Sequence, residues 1–219
     1  MSRNISTPIS DLSRIRSLME RSRYFIGLSG LSGIGAGISA LLGVVAVVAY
    51  RWAGGNDLAY ISEDLYANAA HPWGMAPLPF LVVTAAGVVL LALASSYVFT
   101  HRRVRRLGHS IDDPKTYKLI ANLAVPLMAG GVFCLGLLYH GAPGLIGPAT
   151  LVFYGLALLN GSNFVSEALR VLAYLEIGLG LLALFVPGYG LYFWAAGFGF
   201  LHIGYGAWMY RKYDANEQG

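Results

Sequence analysis

Apolar residues fall into six long runs, and this pattern constrains the fold more than any other feature of the chain. The runs cover about Tyr24 to Tyr50, Leu78 to Thr100, Leu119 to His140, Leu145 to Asn160, Val165 to Val186 and Gly190 to Tyr210. The hydrocarbon core of a bilayer is about 30 Å thick, and a helix needs about 20 mostly apolar residues to cross it. Backbone groups find no water there, so an isolated spanning segment must be a helix that satisfies its own hydrogen bonds. The expected fold is therefore all-α, a polytopic membrane bundle of six transmembrane helices in one domain, residues 24–210. The fourth run is the shortest. Charged residues make up only 12% of the chain, against about a quarter in soluble domains.

The cations set the expected orientation. With six spans, the N-terminal segment, the loop after the second span, the turn before the fifth span and the tail all lie on one side. They carry Arg3, Arg14, Arg16, Arg21, Arg23, Arg102, Arg103, Arg105, Arg106, Lys115, Lys118, Arg170, Arg211 and Lys212, and only Arg51 falls on the other side. Cytoplasmic loops are enriched in Lys and Arg. Both termini, including the tail 211–219, are thus expected in the cytoplasm of a bacterial cell, with the chain in its inner membrane. The same asymmetry explains the basic pI of about 9.2 without nucleic acid as a partner. No cleavable leader is expected, because the first 23 residues hold five arginines and no apolar run.

Gly-Pro punctuation at 140–144 and 187–190 predicts tight turns. The third and fourth spans, and the fifth and sixth, should therefore form antiparallel hairpins. Tyr50, Trp52, Trp73, Tyr189, Tyr192 and Trp194 fall where an outer aromatic belt is expected, and Trp208, Tyr210 and Tyr213 where an inner one is. Residues 1–23 read as a basic amphipathic segment, with Leu12, Ile15, Leu18 and Met19 on one face. It either lies among anionic headgroups or extends the first span into water. A short surface helix is expected over 56–70. Asn160, Ser162 and Asn163 precede the fifth span, where capping accounts for them.

The first span contains small residues spaced four apart. Ser29, Gly33 and Gly37 form one row, and Gly35, Ser39 and Gly43 form a neighbouring one. Such rows let helix backbones approach in lipid. Two uses fit: packing inside the bundle, or a homo-oligomer interface.

Glu176 is the only acidic residue well inside a span. A carboxylate at that depth costs about 2.5–3.5 kcal/mol by insertion scales, so it should face the interior, be protonated or have a partner. His202 is the candidate partner. It lies about as many residues after the turn near 188 as Glu176 lies before it, which puts both at roughly 18–20 Å from that turn. Tyr174 and Tyr205 are close in depth and could join a small polar network. Three uses fit the pair: a satisfied interior contact that fixes the hairpin, a proton or ion relay, or a ligand contact.

No cofactor is predicted. Only His202 lies deep in a span, which disfavours bis-histidine haem, and neither HExxH nor CxxC spacing occurs. Bound lipid fits a chain of this composition. Cys134, the single cysteine, reads as a small core residue. Nucleophile motifs, phosphate loops and paired carboxylates are missing from the sequence, so no reaction class follows.

Two stretches resemble six-helix integral membrane proteins of bacteria, of the Bacteroidetes type. One is Ile15-Arg16-Ser17-Leu18-Met19-Glu20-Arg21-Ser22-Arg23 running into Leu28-Ser29-Gly30-Leu31-Ser32-Gly33. The other is Gly199-Phe200-Leu201-His202-Ile203-Gly204-Tyr205-Gly206. The resemblance covers the two ends of the chain and implies no activity, but it places His202 and Tyr205 within a motif. The expected function is a non-enzymatic accessory or scaffold subunit of a membrane assembly, with lipids and other subunits or further copies as partners. The alternative is a small proton- or ion-coupled transporter or channel using Glu176 and His202.

Overall fold

The computed structural model describes residues 29–54, 72–106 and 114–214. The expected amphipathic segment 1–23, the surface helix 56–70 and the far tail lie outside them. Among the described residues there are six helices and no strand. They are α1 Gly30–Ala53, α2 Pro77–Arg106, α3 Pro114–Tyr139, α4 Ile146–Ser162, α5 Glu167–Leu184 and α6, residues 190–214. Four segments are long and apolar enough to cross a membrane: α1, α2, Thr116–Tyr139 in α3, and Pro143–Ser162, which is α4 with its preceding 3₁₀ turn. That turn supplies the length the fourth run lacked. The other two helices differ in kind. α5 has 18 residues and carries Glu167, Arg170 and Glu176. α6 contains π-helical stretches at Ala195–Leu201 and Tyr210–Asp214, either side of the α-helical His202–Met209.

Helix ends follow local chemistry more closely than hydropathy. α1 starts at Gly30 with Ser29 as its N-cap: the Ser29 backbone is extended and its hydroxyl accepts from the Leu31 N–H at 3.3 Å, and the expected beginning of the first span, residues 24–28, lies outside the described residues. α2 runs six residues past its apolar run, where Arg103, Arg105 and Arg106 in the last turn complement the helix dipole. α5 is capped by Ser166, whose hydroxyl accepts from Leu169 N–H at 3.3 Å. The expected capping residues at this turn serve the end of α4 instead: Asn163 is its C-cap, and the Ser162 hydroxyl and Asn163 amide donate to the Leu159 and Asn160 carbonyls. The turns at 140–144 and 187–190 are built on Gly141 and Gly188, at φ 68° and 86°, a region that other residues rarely adopt.

The two small-residue rows of α1 serve two different neighbours. Gly37 faces α6, where an added Cβ would sit 2.7 Å from the Gly199 carbonyl oxygen, and Gly33 lies against Gly206. Gly35 faces Ser95 of α2 and Gly43 faces Val88. The glycines of both rows are thus used inside the bundle, and Ser29, itself buried, is the N-cap of α1. α4 and α5 interlock similarly, Gly155 against Ala173 and Ile177, and Gly180 against Pro148 and Val152. Phe153 of α4 covers Gly130 of α3.

In each of these pairs, rising numbers in one helix meet falling numbers in the other. The helices are therefore ordered α2, α1, α6, α5, α4, α3, with every neighbour antiparallel, and α4 also reaches α6. Gly30 packs against Gly206 and Tyr210, so α1 begins where α6 ends. Arg102, Arg103, Arg105 and Arg106 end α2, Lys115 and Lys118 begin α3, Arg170 begins α5, and Arg211 and Lys212 end α6. All these positions fall at that same end of the bundle, and Arg51 falls at the other.

Two apolar clusters fill the interior. One, at the cation-bearing end, joins Leu119, Leu158, Val165, Leu169, Leu172 and Ala173. The other, at the opposite end, joins Val47, Tyr50 and Phe80. Tyr50 is consequently no belt residue: it is buried, stacks on Phe80 at 4.0 Å and donates its hydroxyl to the Met75 carbonyl at 2.6 Å. Trp52, Trp73, Tyr189, Tyr192 and Trp208 are exposed.

Candidate functional site

The interior face of α5 is the row Leu169, Leu172, Ala173, Glu176, Gly180 and Ala183. Their spacing of three and four residues makes one helical stripe, and Glu176 occupies its middle. Its side chain has no exposed surface, and His202 is 5% exposed. The two meet across the α5–α6 contact, with His202 Nδ1 3.3 Å from Glu176 Oε1.

Two further groups complete the site. The Gly197 carbonyl oxygen lies 3.1 Å from His202 Nδ1, and the Tyr154 hydroxyl of α4 lies 2.8 Å from Nε2. A carbonyl only accepts, so Nδ1 must carry a proton and donate to Gly197. With the imidazole neutral, Nε2 then accepts the Tyr154 O–H. These two bonds fix the tautomer and clamp the ring between α4 and the π-helical turn of α6. The Nδ1–H is aimed at Gly197 rather than at the acid. Glu176 thus touches the imidazole without a well-directed hydrogen bond, and both its oxygens are buried with no hydrogen-bond partner among the described residues.

The local backbone is what admits this arrangement. The stretch Ala195–Leu201 is π-helical, a geometry that widens the turn and recurs at functional sites. Gly197 within it lies directly against the carboxylate. A Cβ there would collide with Glu176 Oε2 and sit 2.6 Å from Leu151 Cδ2. Trp194, Phe198 and His202 follow one another at four-residue steps. Phe198 lies 4.8 Å from the Trp194 ring, 4.9 Å from Tyr154 and 6.0 Å from the imidazole, near parallel to it. Trp194, half-buried near the turn at 187–190, begins this aromatic column.

Of the sequence candidates, Glu176 and His202 come together. Tyr205 packs on the same interior cluster, with its hydroxyl buried. Tyr174 faces outward, 58% exposed, because it lies two residues from Glu176 and so on the opposite side of α5. Gly33 and Gly37 lie at the α1–α6 contact. Tyr154, Gly197 and Phe198 were not singled out from the sequence. The one available signal was a phenol in a helix that must face the α5–α6 hairpin.

The cluster can hold a proton in two ways. In one, Glu176 is ionised and His202 is an imidazolium; in the other, both are neutral. Each has zero net charge, which avoids the several kcal/mol of an isolated buried ion. The two chief surface depressions lie elsewhere. One is on the outer face of α3 at Val125, Met128 and Val132, and the other lies between α3 and α4. Among the described residues no group of three His, Cys, Asp or Glu could hold a metal ion. The chain matches no family model, no curated protein and no solved structure.

Proposed function

We propose that the chain is a six-span protein of the bacterial inner membrane, with both ends in the cytoplasm, acting as a non-enzymatic accessory or scaffold subunit. The placement of every cation but Arg51, among the described residues, at one end of the bundle supports the orientation, since such loops stay cytoplasmic. The even antiparallel order supports an even number of crossings. α5 spans about 27 Å at a rise of about 1.5 Å per residue, close to the hydrocarbon thickness. Its charges fit a spanning helix because Glu167 and Arg170 sit in the first turn and Glu176 faces inward.

One observation carries the scaffold reading. Glu176 is wholly enclosed, and its partner imidazole on α6 touches it across the α5–α6 contact and bonds Tyr154 of α4, so the polar cluster acts as a registry pin joining α4, α5 and α6. Polar groups in a membrane interior that are walled in and paired hold helices in place. A direct test isolates the protein from native membranes in mild detergent and reconstitutes it alone in liposomes under a pH gradient. A scaffold comes out in a complex heavier than its own 23.5 kDa and passes no protons by itself.

A second reading is favoured by the carboxylate oxygens that lack hydrogen bonds beside a π-helical turn. There, Glu176 and His202 form a proton relay in a small transporter. Proton flux in the liposomes, lost in Glu176→Gln, would establish this reading and overturn the first.

A further inference from the structure

The groove between α3 and α4 grades from apolar to cationic along its length. It is an open depression of about 530 Å³ lined by Pro126, Phe153 and Leu156, with Asn160, Asn163 and Arg170 as its polar mouth. The mouth opens at the α4–α5 junction, the end of the bundle that carries the cations.

The polar mouth is built by the backbone defect beside it. Pro126 has no N–H, so the Asn122 carbonyl one turn earlier lacks its helical donor. The Asn160 side-chain amide supplies it from α4, donating to Asn122 O at 3.2 Å. That bond ties α3 to α4 and holds an amide at the rim. Arg170 is held only by long contacts: 3.5 Å to Ser162 Oγ, 3.3 Å to Asn163 Oδ1 and 3.5 Å to Glu167 Oε1. A guanidinium has five donors and matches a phosphate with two parallel bonds. Glu167 is the counterweight. It is a surface carboxylate, 78% exposed, one helical turn from Arg170, and a phosphate would displace it from the guanidinium.

We propose that this groove binds one anionic phospholipid from the cytoplasmic leaflet, its phosphate on Arg170 and one acyl chain along Phe153, Leu156 and Pro126. The proposal rests on the membrane orientation above. Charge complementarity and the apolar-to-cationic gradient point to this occupant.

The test uses the full chain. Membranes are first washed with alkaline carbonate; release of the protein would overturn both the membrane placement and this proposal. The retained protein is solubilised, and native mass spectrometry follows the binding of phosphatidylglycerol or phosphatidylcholine with identical acyl chains. Retention of one phosphatidylglycerol with about tenfold preference is expected, which equals about 1.4 kcal/mol. Arg170→Gln should abolish the preference, Glu167→Gln should strengthen it, and Leu156→Trp should reduce retention of both lipids by filling the groove. Equal retention of the two lipids by the wild type, or an unchanged preference in Arg170→Gln, overturns the proposal while leaving the membrane placement intact. Should Arg170→Gln fail to fold, the other two variants decide, since both side chains are exposed. A dimer that dissociates in Leu156→Trp without any lipid preference would also overturn it.

Discussion

α6 is held on two sides by opposite means. Toward α1 it presents glycines, and the two backbones approach until no Cβ fits between Gly37 and Gly199. Toward α4 and α5 it presents an imidazole, steadied by the Gly197 carbonyl of α6 itself, that bonds a phenol of α4 and touches a carboxylate of α5. The glycine face gains dispersion contact over a long seam but tolerates small slips along it. The polar face makes few contacts, and those to Tyr154 and Glu176 are lost if the helix turns or slides by one residue. Affinity and register are thus divided between two surfaces of one helix.

That division is open to attack at each surface. The largest loss is expected from His202→Leu, about 3–5 kcal/mol, because Glu176 would remain buried without its partner. Unfolding by increasing sodium dodecyl sulfate in mixed micelles measures it. The double variant His202→Leu with Glu176→Leu should recover much of that loss, since an apolar pair of similar volume often replaces a buried ion pair at little cost. A double variant no better than the single one would show that the pair does not act as a unit.

On the glycine face, Gly37→Leu is expected to cost about 1–3 kcal/mol by overpacking. The obstructing atoms belong to the Gly199 backbone and Ile203, so relief requires α6 to move away from α1. Stability unchanged by this substitution would show that the seam is loose. Tyr154→Phe should cost less, about 0.5–1.5 kcal/mol, the ordinary net value of one hydrogen bond. It should also leave Nε2 without its donor while Gly197 still holds the Nδ1 proton, a change that nitrogen chemical shifts of labelled histidine report directly. Asn160→Ala is the mildest, about 0.5–1 kcal/mol, with the Asn122 carbonyl left to find water. A larger loss there than in Tyr154→Phe would shift the weight of the fold from α6 to the α3–α4 contact.

The parts of the fold that depend on periodicity and length could be read from residues alone. Helix count, the two glycine turns and the antiparallel order follow from apolar runs and Gly-Pro punctuation. The meeting of Glu176 and His202 follows from counting along two helices from a shared turn, because the rise per residue is fixed. What counting cannot supply is rotation about the axis. Tyr174 and Tyr154 are both tyrosines at suitable depth. Only the facing of each helix sends Tyr174 outward and Tyr154 onto the imidazole. The π-helical turn was equally hidden, since Ala195-Ala196-Gly197 resembles any small-residue stretch until a bulky neighbour fixes what it must accommodate. Ser29 lay on a correct packing period but beyond the point where the chain turns helical, so the same residue spacing concealed a cap.

The seat of α6 between α1 and α5 has a consequence for biosynthesis. It emerges from the ribosome after the other five helices, yet it fills the gap between the first and the fifth. Until it inserts, α1 has one uncovered glycine seam and α5 carries an acid with no imidazole beside it. In the membrane placement proposed above, chains stopped before residue 190 would leave that acid unsheltered, a feature that membrane quality control can recognise and degrade.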